Sequence, residues 1–262
     1  MQCRALYSRL ALHNIYNNNC NFQLMPSIRE LAKISQKQCW SKVDYMWHYL
    51  GLYVAKPLLY TKITPNQVTV FWIMLEIIAA IMVLGPYWYR VSGILIFNFI
   101  VNLLDFTDGN IARIKNIKTL LGIYLDRLGI YTGMPLFLLA LGLGTYIREN
   151  DLISLYAGII CCISLLYDKL LNVNPAWYTP EKWSSLQQVY LTSSLSKKNI
   201  FSYISELFRK TQPLNLLFFG IILDQIKITL IIYAIIGILS MLKKLYEQVK
   251  AIRRIDTRAK NL

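Results

Sequence analysis

Apolar positions fall into long runs separated by short polar breaks, and the runs are too long and too uniformly apolar for core helices of a soluble domain. Spans are expected at about Val68–Gly85, closed by Pro86, then at about Tyr89–Leu104, Leu120–Leu143, Leu152–Leu171, Leu214–Leu223 and Ile228–Leu242. About 20 apolar residues are needed to cross roughly 30 Å of hydrocarbon. The fifth run is short and ends in Asp224-Gln225, so the fifth and sixth form either a tight helical hairpin or one broken unit. Before the spans, residues 43–60 are rich in aromatic residues and poor in charge. Trp47, Tyr49, Tyr53 and Lys56 suit a helix at the membrane interface or one packed against other helices. The expected fold is all-α, an integral membrane bundle of six transmembrane helices with an N-terminal interfacial helix. It divides into a cytosolic N-terminal extension (residues 1–42), a membrane domain (43–245) and a basic cytosolic tail (246–262). Residues 1–40 contain no sustained apolar stretch of the kind a secretory signal carries.

Composition agrees with this pattern. Of 262 residues, 55% are hydrophobic and 16% charged, where a soluble domain carries about 25% charged residues. Mean hydropathy is +0.39. A soluble enzyme, a disordered chain and a disulfide-stapled domain are therefore excluded. The net charge of +14 lies between the apolar runs, which points to anionic lipid headgroups and not to nucleic acid. Basic residues crowd four regions: before the first span, after the second (Arg113, Lys115, Lys118), after the fourth (Lys182, Lys197, Lys198, Arg209, Lys210) and after the sixth. The other three loops carry only Arg90, Arg148 and Lys227. Six spans place all the heavily basic loops on one side, so both termini are expected in the cytoplasm of a multi-pass protein. The five cysteines and two histidines have no metal-site or disulfide spacing.

The chemistry is concentrated in residues 98–133. Asp105 and Asp108 are three apart and share a helix face, which Asn98 and Asn102 continue inward. Gly122, Asp126, Gly129 and Gly133 form a stripe on the next span. Carboxylates clustered in low dielectric repel or protonate unless a hard cation joins them, and Mg²⁺ takes oxygen ligands. Gly109 and Ala112 leave the backbone open to a bulky ligand, and the guanidinium of Arg113 suits a phosphate. One lone aspartate or one glycine stripe would be read as packing, but the whole set in this order would not.

The pattern D-x2-D-G-x2-A-R-x8-G-x3-D, formed by Asp105, Asp108, Gly109, Ala112, Arg113, Gly122 and Asp126, resembles the signature of the CDP-alcohol phosphatidyltransferase family. Thr64-Pro65-Asn66-Gln67-Val68-Thr69 resembles the segment that precedes the family's first span. The likeness covers roughly residues 43–170. It implies a six-helix fold and transfer of a substituted phosphate from a CDP-alcohol, usually CDP-diacylglycerol, to a small alcohol acceptor with release of CMP, in phospholipid biosynthesis. It implies one or two Mg²⁺ or Mn²⁺ ions on Asp105, Asp108 and Asp126. It implies donor contacts from Asn66, Thr69, Gly109, Ala112, Arg113, Thr119 and Gly122, and a homodimer. The family pattern continues G-x3-D-x3-D. Its fourth aspartate, the expected general base and a ligand of the second metal, is here replaced by Ile130. Glu76, Tyr124, Tyr131 or a metal-bound alkoxide are the alternatives for the base, and no catalytic side chain is assigned. A second reading is a catalytically silent homologue that binds nucleotide-lipid or a membrane partner. Transport is disfavoured, because the sequence lacks paired broken helices in symmetric halves.

Overall fold

The computed structural model describes residues 26–35, 42–117, 119–173 and 214–260. The expected basic loop after the fourth span, most of the N-terminal extension and Lys118 lie outside these residues. Every regular element among them is helical: α1 (Ile28–Ser35), α2 (Lys42–Leu58), α3 (Pro65–Met82), α4 (Tyr87–Leu95), a π-helical segment (Ile96–Val101), α5 (Asn102–Ile114), α6 (Leu120–Glu149), α7 (Leu152–Val173), α8 (Leu216–Ile222) and α9 (Ile226–Lys260). Among the described residues, five helices are long and apolar enough to cross a membrane: Pro65–Met82, Tyr87–Ile114, Leu120–Glu149, Leu152–Leu170 and Ile226–Lys250. The expected fifth span falls on α8, whose seven residues reach about 10 Å at about 1.5 Å per residue, well short of a crossing. The chain immediately before Leu214 lies outside the described residues, so the six-span count stands as an expectation.

Local sequence explains where the helices begin. Ser27 and Glu30 form a reciprocal cap on α1: the Ser27 N–H donates to Glu30 Oε2 at 2.7 Å and the Glu30 N–H to Ser27 Oγ at 3.3 Å. Thr64 and Gln67 do the same for α3, at 2.8 and 3.4 Å, with Pro65 at the first helical position, where its missing N–H costs nothing. Thr119 Oγ1 caps α6 by accepting from the Gly122 N–H at 2.9 Å. Asn215 caps α8 by accepting from the Phe218 N–H at 2.9 Å.

The chain divides into two compact units. The first comprises Met1–Met74 and Phe99–Arg127. Here α2 lies along α5. Asn110 Nδ2 donates to the His48 carbonyl at 3.0 Å and Thr107 Oγ1 to the Gly51 carbonyl at 3.4 Å. Trp47, Leu52 and Ala55 are buried while Tyr45 and Tyr53 are exposed. Of the two readings of residues 43–60, packing against another helix is thus observed. Leu31, Leu52 and Ile114 form one apolar cluster, and Ala55, Val68 and Ile111 another. Ser35 and His48, both buried, are joined at 3.2 Å across α1 and α2.

The second unit comprises Leu75–Asn98 and Leu128–Leu262. Its core contains Val83, Ile94, Phe97, Phe137, Leu138, Leu141, Cys161, Leu217 and Leu230. Asn98 and Asn215, both fully buried, exchange amide hydrogen bonds at 3.3 and 3.4 Å. The adjacent Cys161 and Cys162 are buried, as expected of small core residues. Helices α6 and α7 meet at Gly142 and Gly158. A Cβ on Gly142 would stand 2.6 Å from the Ser154 carbonyl oxygen and 3.0 Å from the Gly158 Cα. Backbone cannot move aside as a flexible side chain can, so Gly142→Ala is expected to cost about 1–3 kcal/mol of stability. A lowered melting temperature of the detergent-purified protein checks this.

Candidate functional site

The expected site residues from Asn66 to Asp126 all lie in the first unit. Asp108 is 7% exposed near the middle of α5. Its Oδ2 accepts from Thr69 Oγ1 at 2.6 Å and from Trp72 Nε1 at 2.8 Å. Thr69 and Trp72 are three apart on α3, so one face of that helix supplies both donors. Both bonds fall on Oδ2 and none on Oδ1, which turns one oxygen of a fixed carboxylate away from its anchors. Asp105, one turn earlier on α5, and Asp126 on α6 are close enough to repel the Asp108 carboxylate. The three acids expected to act together are therefore electrostatic neighbours.

The second group gathers at the start of α6. Asn66 Nδ2 donates to Thr119 Oγ1 at 3.2 Å, and a Cβ on Gly122 would lie 2.7 Å from Asn66 Oδ1. Glycine at 122 is thus what allows the Asn66 amide against α6. On α5, Arg113 folds back across Gly109: a Cβ there would meet Arg113 Nη1 at 3.1 Å. Arg113 Nη2 donates to Asn110 Oδ1 at 2.8 Å, and Asn110 is fully buried. Asn110 therefore ties the guanidinium to the α2 backbone. Lys115 donates to the Thr61 and Ile63 carbonyls at 3.3 Å each, and desolvation holds its pKa below the usual lysine range. Ala112 is partly buried one residue before Arg113.

Sequence reasoning missed two of these contacts. Trp72 and Asn110 are not motif residues, yet each holds one that is. The signal was spacing: Trp72 is one turn from Thr69, and Asn110 one turn from Arg113. Among the proposed bases, Tyr124 is exposed. Glu76 is buried in the second unit, its carboxylate pressed against Gly133 where a Cβ would otherwise stand. Ile130 is partly buried, one helical turn after Asp126 along α6.

A model of the CDP-alcohol phosphatidyltransferase family matches residues 62–252. The chain belongs to the CDP-alcohol phosphatidyltransferase family. The matched range takes in all the proposed site residues and every candidate span. A search among curated proteins finds no match. Membership supports a transferase role in phospholipid biosynthesis, the family's chemistry being phosphotransfer from a CDP-alcohol. Members of the family generally use divalent metal ions. In this CDP-alcohol phosphatidyltransferase homologue, Asp105 and Asp126 both act on the Asp108 carboxylate, which is anchored through a single oxygen, and carboxylate oxygens are the ligand type a hard divalent cation takes. Among the described residues, no group of three or more His, Cys, Asp or Glu side chains is placed so that it could hold a metal ion.

Proposed function

We propose that the protein transfers a substituted phosphate from a CDP-linked lipid, CDP-diacylglycerol in the first instance, to a small alcohol with release of CMP. The observation that carries this reading is the anchoring of Asp108 by Thr69 and Trp72 beside two further carboxylates. Asp105, Asp108 and Asp126 would hold Mg²⁺ or Mn²⁺, which when bound would neutralise the diphosphate and stabilise the leaving oxygen. Arg113, held by Asn110 over Gly109, would bind the diphosphate, and Ala112 would leave room for it beside the helix. Asn66 and Thr69 would meet the donor's nucleotide end, Thr119 would offer its hydroxyl to a donor phosphate, and Gly122 would contact the donor beside it. The acceptor hydroxyl would attack the β-phosphorus, and the P–O bond to CMP would break. The motif gives no carboxylate at position 130 to take the acceptor's proton. We further read the protein as a homodimer, as the family resemblance implies, with both termini in the cytoplasm, on the asymmetry of basic residues between its loops.

The test is a panel of alcohol acceptors incubated with labelled CDP-diacylglycerol and Mg²⁺ or Mn²⁺, with CMP as the readout. CMP release that needs both metal and acceptor supports the proposal. Tight CDP binding without turnover on any acceptor favours the silent homologue instead.

Arg113→Lys is expected to weaken donor binding by about tenfold or more. An ammonium keeps the charge but cannot make the paired bonds of a guanidinium. Titration of wild type and variant with a CDP-alcohol checks this, and equal affinities would count against Arg113 as a diphosphate ligand.

A further inference from the structure

The loops poor in basic residues carry Arg90, Arg148 and Lys227, and nothing in the proposed transfer uses them. All three lie in the second unit, at the turns joining α3 to α4, α6 to α7 and α8 to α9. Two of these turns hold a residue in the left-handed region, Asn150 (φ 52°) and Asp224 (φ 54°). Lys227 is already committed, with its Nζ 3.1 Å from Asp151 Oδ1. The Ser154 hydroxyl and Lys227 hold Asp151 below the usual carboxylate range.

The two arginines are different. Arg148 Nη1 donates to the Leu84 carbonyl at 2.6 Å and also to the Gly85 carbonyl. That fixes the guanidinium against the end of α3. Its Nε and Nη2 are buried atoms with no hydrogen-bond partner, so the side-on edge of the fork is left unpaired. Arg90 is only 5% exposed. Its Nη1 stands 3.1 Å from Asp224 Oδ1 in an ion pair without hydrogen-bond alignment, and its Nε has no partner. The two positive charges lie near enough to repel each other. Asp224 and Glu149 oppose them, but Glu149 is exposed and Asp224 is 56% exposed in its side chain. Buried guanidinium N–H groups without acceptors are costly. Cations on the face that positive-inside sorting depletes are also unexpected.

We propose that Arg90 and Arg148 form an anion site that takes a phosphate group, with two oxygens on the Nε–Nη2 edge of Arg148 and a third on Arg90 Nε. A planar fork matches two phosphate oxygens, and the Nη1 bonds to the Leu84 and Gly85 carbonyls orient it in advance. The turns lie at the ends of candidate spans, at the depth of lipid headgroups, so a phospholipid phosphodiester and free phosphate are the two sources of this chemistry. The site does not depend on the proposed transferase reaction.

The experiment uses the full chain in detergent, followed by thermal unfolding and native mass spectrometry. The additions are phosphatidylglycerol, diacylglycerol as its phosphate-free counterpart, or inorganic phosphate. Wild type should be stabilised by phosphatidylglycerol and not by diacylglycerol, and should retain the phospholipid. Arg148→Lys keeps a charge and a donor for the Leu84 and Gly85 carbonyls but loses the fork. It should unfold normally without additive, lose about tenfold in phospholipid retention and keep its CDP-alcohol affinity. Arg148→Gln should behave alike, and Lys227→Gln should match wild type. An equal shift with inorganic phosphate alone supports the anion site and assigns a soluble source. No phosphate-dependent shift in wild type, or equal shifts in wild type and both Arg148 variants, overturns the proposal.

Discussion

Asp108→Asn is expected to reduce CMP release by about a thousandfold or more while leaving the protein folded. Asparagine retains a side-chain oxygen that can accept from Thr69 and Trp72, so the contacts that position residue 108 survive. What it loses is the negative charge. A bound metal contributes several kcal/mol of charge stabilisation in the transition state, and each 1.36 kcal/mol is about tenfold in rate. Asp108→Ala should do more, because it also removes the acceptor of the buried Trp72 N–H, at about 1–3 kcal/mol, while the Thr69 hydroxyl keeps the Pro65 carbonyl at 3.1 Å. Comparing the two variants by CMP release and melting temperature separates chemistry from folding. Wild-type turnover by Asp108→Asn would remove Asp108 from the metal-binding set.

Ile130→Asp is expected to raise transferase activity, or to create it. Residue 130 lies one turn after Asp126 on α6, so both belong to one helix face. A positioned base is typically worth about 10²- to 10⁴-fold. Isoleucine offers neither a proton acceptor nor a metal ligand. The opposing effect is desolvation: the native side chain is partly buried, and an aspartate in apolar surroundings tends to stay protonated. CMP release by wild type and variant over the acceptor panel decides. Robust wild-type turnover that falls with aspartate at 130 would mean the protein has its own base elsewhere and that position 130 is adapted to being apolar.

The spans were legible because lipid demands continuous apolar runs, and such runs survive in the sequence without any knowledge of packing. Leu120 and Leu152 begin their helices where the pattern put them. Two starts set by capping boxes were misjudged. The pattern opens the first span at Val68, whereas Thr64, Pro65 and Gln67 begin α3 at Pro65. Ser27-Ile28-Arg29-Glu30 carried an equally plain cap signal for α1, overlooked because no apolar run follows it. Ends were underestimated for the opposite reason: α5 runs through the charged motif to Ile114, and α9 runs to Lys260. Once a helix is nucleated, polar residues extend it at little cost outside the hydrocarbon. At the site, the sequence supplied the acids, glycines and arginine. Their anchors were hidden because Trp72 looks like any residue of an apolar run, and Asn110 like any polar residue of the motif segment, until a second helix is laid against them.

The bond from Trp72 to Asp108 also gives the protein an optical consequence. An indole whose N–H is held by a carboxylate feels that carboxylate's charge directly, and the ring of Trp72 is fully buried from solvent. Any event that neutralises Asp108 therefore changes the electric field across a chromophore the protein already carries. The emission that Trp72→Phe removes from the spectrum is the part that reports occupancy of the site, without a label and before any bond is made or broken.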